Sequence, residues 1–419
     1  MATDCATVSK SAVGRAPIIF GLALAGITVA TAAEAGQTFN EAVANELVRF
    51  GSGDSNGGGQ SCARFIKDGT PLLERCAEFP QPGGPGGAGS AGSSIGGTFA
   101  APDAVLERLK TPRAKKGGGG SADAAVSLGN GFSVFAVPGY ERLNHSNNRY
   151  EDGYKADIGR LTLGGDYKFS QMFFAGIAFD YAYQDGVYDE GRGYNTSSYG
   201  VLLYGSILPV ENVFIDLSAG YGWSRSNDSR VARLFNPDGS QLFPPPGNGS
   251  VRSDYNGNQL TASVRGGYDY PIQNITIGPR VGFTVGYWTR ETYREDGETG
   301  LELEVQSDSQ TSLQSNLGAA ASIAVSTSFG VLLPQIEGAW VHEFADDQRS
   351  QKARFRDALP SEGNFRYDSE SPDRNFGIIG VGLTAVLPNG LQPFAAFRSI
   401  VGNDNYNSYA VSAGLRLEL

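Results

Sequence analysis

The chain has 419 residues, of which 58 are glycine, 40% are hydrophobic and 11% are aromatic, with only 2 methionines and 2 histidines. Its 33 basic and 44 acidic residues leave a formal net charge of -11, which excludes the basic face that a nucleic-acid surface requires. Glycine with tyrosine and phenylalanine, and no long apolar run beyond the N-terminus, is the composition of an all-β membrane barrel, whose alternating strands average out in hydropathy.

Residues 1–35 read as an export signal: Lys10 and Arg15 form a basic region, Ile18 to Thr31 an apolar one, and Ala33-Glu34-Ala35 a small-x-small cleavage site. The apolar run is short for a spanning helix, which needs about 20 residues. Cys5 would leave with the signal, so Cys62 and Cys76 remain as a pair. In an oxidising periplasm such a pair is expected to form a disulfide. Residues 36–100 read as a short passenger. It is partly disordered, because Gln81 to Gly97 is rich in Gly, Pro and Ser. Residues 101–125 read as a linker. Ala101 to Lys110 has the marks of a short helix, with Pro102, Asp103 and Glu107 early, Lys110 late and Pro112 beyond. Gly117 to Gly120 would let the chain turn.

From about residue 126 to the end the pattern is alternation. Phe173, Ala175, Ile177, Phe179, Tyr181 and Tyr183 share one face, and Phe174, Gly176, Ala178, Asp180, Ala182 and Gln184 the other. Val213 to Ser224 and Tyr409 to Leu419 alternate in the same way. A period of two puts one set on lipid and the other in a lumen. Twelve strands are predicted, near 131–144, 155–169, 172–184, 196–208, 212–226, 255–270, 274–290, 308–326, 329–344, 374–387, 390–400 and 405–419. Connections after even strands are tight, as at Phe169-Ser170-Gln171, Pro209-Val210-Glu211 and Pro388-Asn389, whereas Asn227–Asp254 and Ala345–Asp373 are long and polar. Short turns on one side and long loops on the other belong to an outer-membrane barrel. The expected fold is therefore a 12-stranded antiparallel transmembrane β-barrel with both ends on the short-turn, periplasmic side. Its lumen-facing charges include Asp180, Asp216, Arg265, Arg280, Arg398 and Arg416, with Arg160, Asp166, Asp269 and Glu337 beside them. Mixed signs suit bracing of a plugged pore better than an ion pathway.

The stretch Pro334-Gln335-Ile336-Glu337-Gly338-Ala339-Trp340-Val341-His342-Glu343-Phe344 resembles the strand motif P-x-x-x-x-x-W-x-H-E-F of autotransporter β-domains (type V secretion). Gly380 to Phe394, Ser412 to Arg416, Gly159 to Tyr167 and Leu217 to Trp223 are similar to other strands of that family. The likeness covers roughly 125–419. It implies a barrel with a helix threaded through the pore, joined to an exported passenger; Ala101 to Lys110 is the candidate helix. At about 1.5 Å per residue it would cover half of a ~30 Å core. The resemblance also implies outer-membrane lipid, barrel-assembly machinery and periplasmic chaperones as partners. The chain departs from the family in ending on Leu419, where members usually end in Phe or Trp, and in its short passenger.

Nothing else points to chemistry. Gly53-Asp54-Ser55-Asn56 is similar to an esterase block, but a nucleophilic serine needs a base, and the two histidines, His145 in the first loop and His342 in strand nine, both lie outside the passenger. His342 and Glu343 fall short of the three or four ligands of a metal site. There is no Gly-x-x-x-x-Gly-Lys-Ser/Thr phosphate loop. The expected protein is no enzyme and needs no cofactor. It exports or displays its own N-terminal segment and anchors it at the cell surface of a Gram-negative bacterium. Two alternatives stay open: a free-standing barrel whose long outer loops bind a host or surface ligand, and a small-solute pore.

Overall fold

The computed structural model describes residues 38–39, 41–43, 45–46, 77–78, 131–189, 192–234, 249–358 and 363–418. Its main body is a closed antiparallel barrel of twelve wall strands. These are β1 (Phe132–His145), β2 (Tyr154–Lys168), β3 (Phe173–Tyr188), β4 (Gly193–Val210), β5 (Val213–Val231), β6 (Ser250–Tyr268), β7 (Ile275–Arg290), β8 (Asp308–Ile323), β9 (Gly330–Glu343), β10 (Asn375–Val386), β11 (Leu391–Val401) and β12 (Tyr406–Glu418). Each pairs with its sequence neighbour, and β1 also pairs with β12, so no edge is left to lipid.

Alternation decides which way each strand faces. On β5, Ile215, Leu217, Tyr221 and Trp223 are exposed, while Phe214 and Asp216 between them are buried. The outward set is apolar because hydrocarbon surrounds it. From Val213 to Trp223, ten steps of ~3.3 Å tilted by ~40° rise roughly 25 Å, the height of an apolar band. Above it the outward face turns polar. The Arg142 guanidinium meets both carboxylate oxygens of Asp157 at 2.8 Å, and Asn227 donates to Asn195 at 2.9 Å. Aromatics mark both margins. Tyr199 stacks on Trp223 at 5.7 Å near the long loops, and Phe169 lies 5.2 Å from Phe173 at the short turns.

Two of the short turns are two-residue reversals with a left-handed residue: Asn212 (φ 65) between β4 and β5, and Gln273 (φ 55) before β7. The closing seam has one gap. The β1–β12 ladder runs from Ser133–Glu418 to Ala136–Leu415, then resumes at Gly139–Ser412. Pro138 lies in the gap and has no N–H to give.

Several strands run further outward than the hydropathy alternation suggests. β3 reaches Tyr188, β4 starts at Gly193, β5 reaches Val231 and β6 starts at Ser250. Hydrophobic alternation stops at the membrane surface, but the hydrogen-bond ladder does not. The wall is raised further by Tyr293–Asp296, Leu303–Val305 and a hairpin of Ser350–Phe355 with Asn364–Asp368. These lie in stretches that read as polar loops. Ala353 and Phe355, and Phe365 and Tyr367, do alternate there, but the runs are too short to stand out.

Candidate functional site: the lumen and its outer mouth

In the lower lumen, large side chains lie across glycines of the neighbouring strand. Phe135 pairs in register with Gly164, Tyr204 with Gly176, Phe214 with Gly267 and Phe394 with Gly414. A Cβ at Gly164 would come within 2.3 Å of the Phe135 ring, and one at Gly414 within 2.6 Å of Phe394. The glycines are the slots that let aromatic rings lie flat inside a narrow barrel.

Between these rings the charges are paired. Asp180 accepts from Thr162 at 2.7 Å and lies 3.8 Å from Arg160. Asp216 accepts from Ser206 at 2.8 Å and lies 3.5 Å from Arg265. Arg280 pairs with Asp269. Arg416 on β12 donates to Gln392 of β11 at 2.8 Å and to Ser133 of β1 at 3.1 Å, bridging the closing seam. Arg398 lies half-buried on β11. Opposite charges on adjacent strands brace the wall.

The β9 motif divides by parity. Trp340, His342 and Phe344 point outward in a row, with ring centroids 5.6 and 4.7 Å apart, and the His342 ring meets Asn375 of β10 at 2.9 Å. Pro334 lies lower on β9, opposite Leu383. Glu343 points inward and is buried. Its carboxylate accepts from Ser312 (2.5 Å), the Leu313 N–H (2.8 Å), Gln314 (3.1 Å) and the Ala345 N–H (3.0 Å). That fixes the upper end of β9 to β8. Among the described residues no group of three His, Cys, Asp or Glu is placed to hold a metal.

The outer mouth lies above the lipid band. Val251, Tyr255, Tyr293, Leu303, Val305, Phe355, Phe365 and Tyr367 form a buried apolar cluster there. Arg230 of β5 meets Glu295 through two hydrogen bonds of 2.6 and 2.5 Å, and Glu295 also accepts from the Leu303 N–H at 2.7 Å. Burial pushes the Asp228 carboxyl up to about 7, against the nearby Arg192. In the first outer loop, burial raises Glu151 to about 7, although the Glu370 N–H and Arg349 oppose it. Burial also lowers His145 to about 4. Its Nε2 is 3.4 Å from Glu151, so near neutral pH the histidine of this contact is uncharged.

Two N-terminal pieces lie at this end. Residues 39, 41–43 and 45–46 are helical, and residues 77–78 pair antiparallel with Arg233–Leu234 in the third outer loop. Thr38 and Glu41 form a reciprocal cap: the Thr38 N–H donates to Glu41 at 2.9 Å and the Glu41 N–H to the Thr38 hydroxyl at 3.2 Å. Phe39, Ala42 and Val43 are buried in the outer cluster. The Phe39 ring is 4.9 Å from Tyr367 and 6.0 Å from Phe365. The sequence carried the signal, Thr-Phe-Asn-Glu followed by apolar residues at helical spacing, but it was hidden in an otherwise mixed segment. Cys62, Cys76 and the candidate helix at 101–110 lie outside the described residues.

Residues 134–398 match the family model described as autotransporter beta-domain. The chain is 26% identical over 303 residues to outer membrane protein A of Rickettsia conorii, which covers 70% of this chain and 14% of that protein. Among solved structures, the translocator domain of the autotransporter NalP from Neisseria meningitidis superposes with a TM-score of 0.53 at 14% identity, covering 76% of this chain and 95% of that one. That likeness speaks for the fold.

Proposed function

Because this chain belongs to the autotransporter β-domain family, whose members are non-enzymatic translocator barrels of the Gram-negative outer membrane, we propose that it carries its own N-terminal segment outward through the lumen and anchors it at the surface. The observation that carries this is sidedness. Residues 39–46 and 77–78 lie at the long-loop end, and β1 begins at the short-turn end. The chain between 78 and 131 must join the two ends. A path outside the barrel would lay unpaired backbone in hydrocarbon, so the path that remains is the lumen. Length is no obstacle: some 50 residues reach roughly 170 Å when extended, against a wall of roughly 50 Å for the 19 residues of β5.

On this reading residues 1–35 are a cleaved signal, 36–100 the displayed passenger and 101–125 the linker inside the pore. Cys62 and Cys76 close a loop small enough to pass. Assembly machinery and periplasmic chaperones deliver the barrel, and folding rather than nucleotide hydrolysis supplies the energy. An epitope tag at Gln60 tests the reading: protease added to intact cells should remove it. A tag that survives until the outer membrane is permeabilised overturns the proposal.

A further inference from the structure

The helix at 39–46 is a poor helix on its own, since isolated helices shorter than about 12 residues are marginal in water. What it has is one face. Phe39, Ala42, Val43 and Glu46, at i, i+3, i+4 and i+7, are buried, while Asn45 is exposed. The surface that receives it is equally hard to explain without it. Tyr255, Tyr293, Val305, Phe355, Phe365 and Tyr367 form an apolar lining in the part of the barrel that rises above lipid and opens to water. An apolar patch of this kind in an aqueous mouth marks an interaction site. The fit is detailed. The ring of Phe39 enters among Phe365 and Tyr367, the small Ala42 allows close approach, and at the rim Glu41 meets Arg149 of the first outer loop at 3.4 Å.

We propose that the outer mouth is a docking groove for an amphipathic helix of the form Phe-x-x-Ala-Val, and that its occupant is this chain's own residues 38–46, which act as a retained cap. After crossing the lumen, the leading end of the segment folds back into the mouth, closes it, and holds the passenger as a loop tied at both ends. The barrel then ends as a sealed display platform and not as an open conduit or a device that sheds its passenger. This rests on the outward path proposed above.

Paired cysteines in the full-length protein, with Cys62→Ser and Cys76→Ser, test it in outer membranes. Phe39→Cys with Phe365→Cys should be joined by a mild oxidant, and Asn45→Cys with Phe365→Cys should react at least tenfold more slowly. Equal yields, or no joining of the first pair in a chain that still migrates as a folded barrel, overturn the cap. A second measurement guards against a folding defect. Phe365→Cys alone, labelled on intact cells by a small maleimide, should react at least tenfold faster when Val43→Asp is added; an unchanged rate counts against the proposal. A tag at Gln60 that is surface-exposed without the crosslink leaves export standing and removes the cap. A tag that is periplasmic removes both.

Discussion

Single residues show how a water-facing and a lipid-facing chemistry share one strand. Glu343 and its neighbours Trp340, His342 and Phe344 belong to one motif, yet the carboxylate takes four hydrogen bonds inside while the rings line the outer surface. The His145–Glu151 contact makes a residue-scale prediction. His145 ends β1 above the point where the outward face becomes polar, and Glu151 follows in the loop, so both titrate in water rather than lipid. Glu151 is raised from 4.5 to about 7, so the folded loop keeps a proton that the unfolded loop loses. Its stabilisation is complete below pH 4.5 and is lost as pH rises through 7. His145 is lowered from 6.5 to about 4, so the stability it carries is complete above pH 6.5 and is lost as pH falls through 4. Between roughly 4.5 and 6.5 the two slopes cancel, since folded and unfolded loops each bind one proton. Hydrogen exchange of residues 146–153 should therefore be nearly flat in that window. Glu151→Gln should leave protection that falls toward acid, and His145→Asn protection that falls toward pH 7. The same slope in both variants would show that the two groups do not carry the pH dependence of this loop.

At the scale of elements, the sequence was most readable where lipid enforces a period of two. All twelve wall strands were legible because an apolar face must meet hydrocarbon at every second residue; the turn read at Pro209-Val210-Glu211 is displaced, since β4 continues to Val210 and the reversal is Glu211-Asn212. The outer extensions were not, since above Trp223 both faces of β5 meet water or protein and polar residues serve on either. The helix at 39–46 was missed for a related reason: its apolar face is only three residues wide, and its partner wall is assembled from five separate strand segments. The lumen's ion pairs were legible as mixed charges, but their partners depend on register, which hydropathy does not give. A contrast on β5 tests the faces. Leu217 is outward near mid-band, and Ser218 is inward with its hydroxyl 2.7 Å from that of Ser263. Leu217→Arg should cost about 2–4 kcal/mol and sharply reduce the fraction of chain that migrates faster unheated than boiled in detergent gels. Ser218→Arg, in a lumen that already holds paired arginines, should retain most of that fraction. Equal loss in the two variants would place the register of β5 one residue off.

For the whole molecule, the consequence of the fold is a direction. A closed barrel whose first strand starts on the periplasmic side, with N-terminal elements lodged at the opposite mouth, is the arrangement that the proposed outward passage of its own chain would leave. The Gly–aromatic slots, the braced ion pairs and the Arg416 bridge across the β1–β12 seam make the wall rigid. The charges they leave along the lumen are of both signs and suit a linker that carries Asp103, Glu107, Arg108 and Lys110. On the proposed function this linker lies inside the lumen. The most direct test is the reactivity of a cysteine at Leu106→Cys, in a chain with Cys62→Ser and Cys76→Ser, toward a bulky polymer-linked maleimide supplied from both sides of the membrane. The cysteine should be protected in the folded barrel and fully labelled after boiling; rapid labelling of the folded barrel from the periplasmic side would rule out the threaded path.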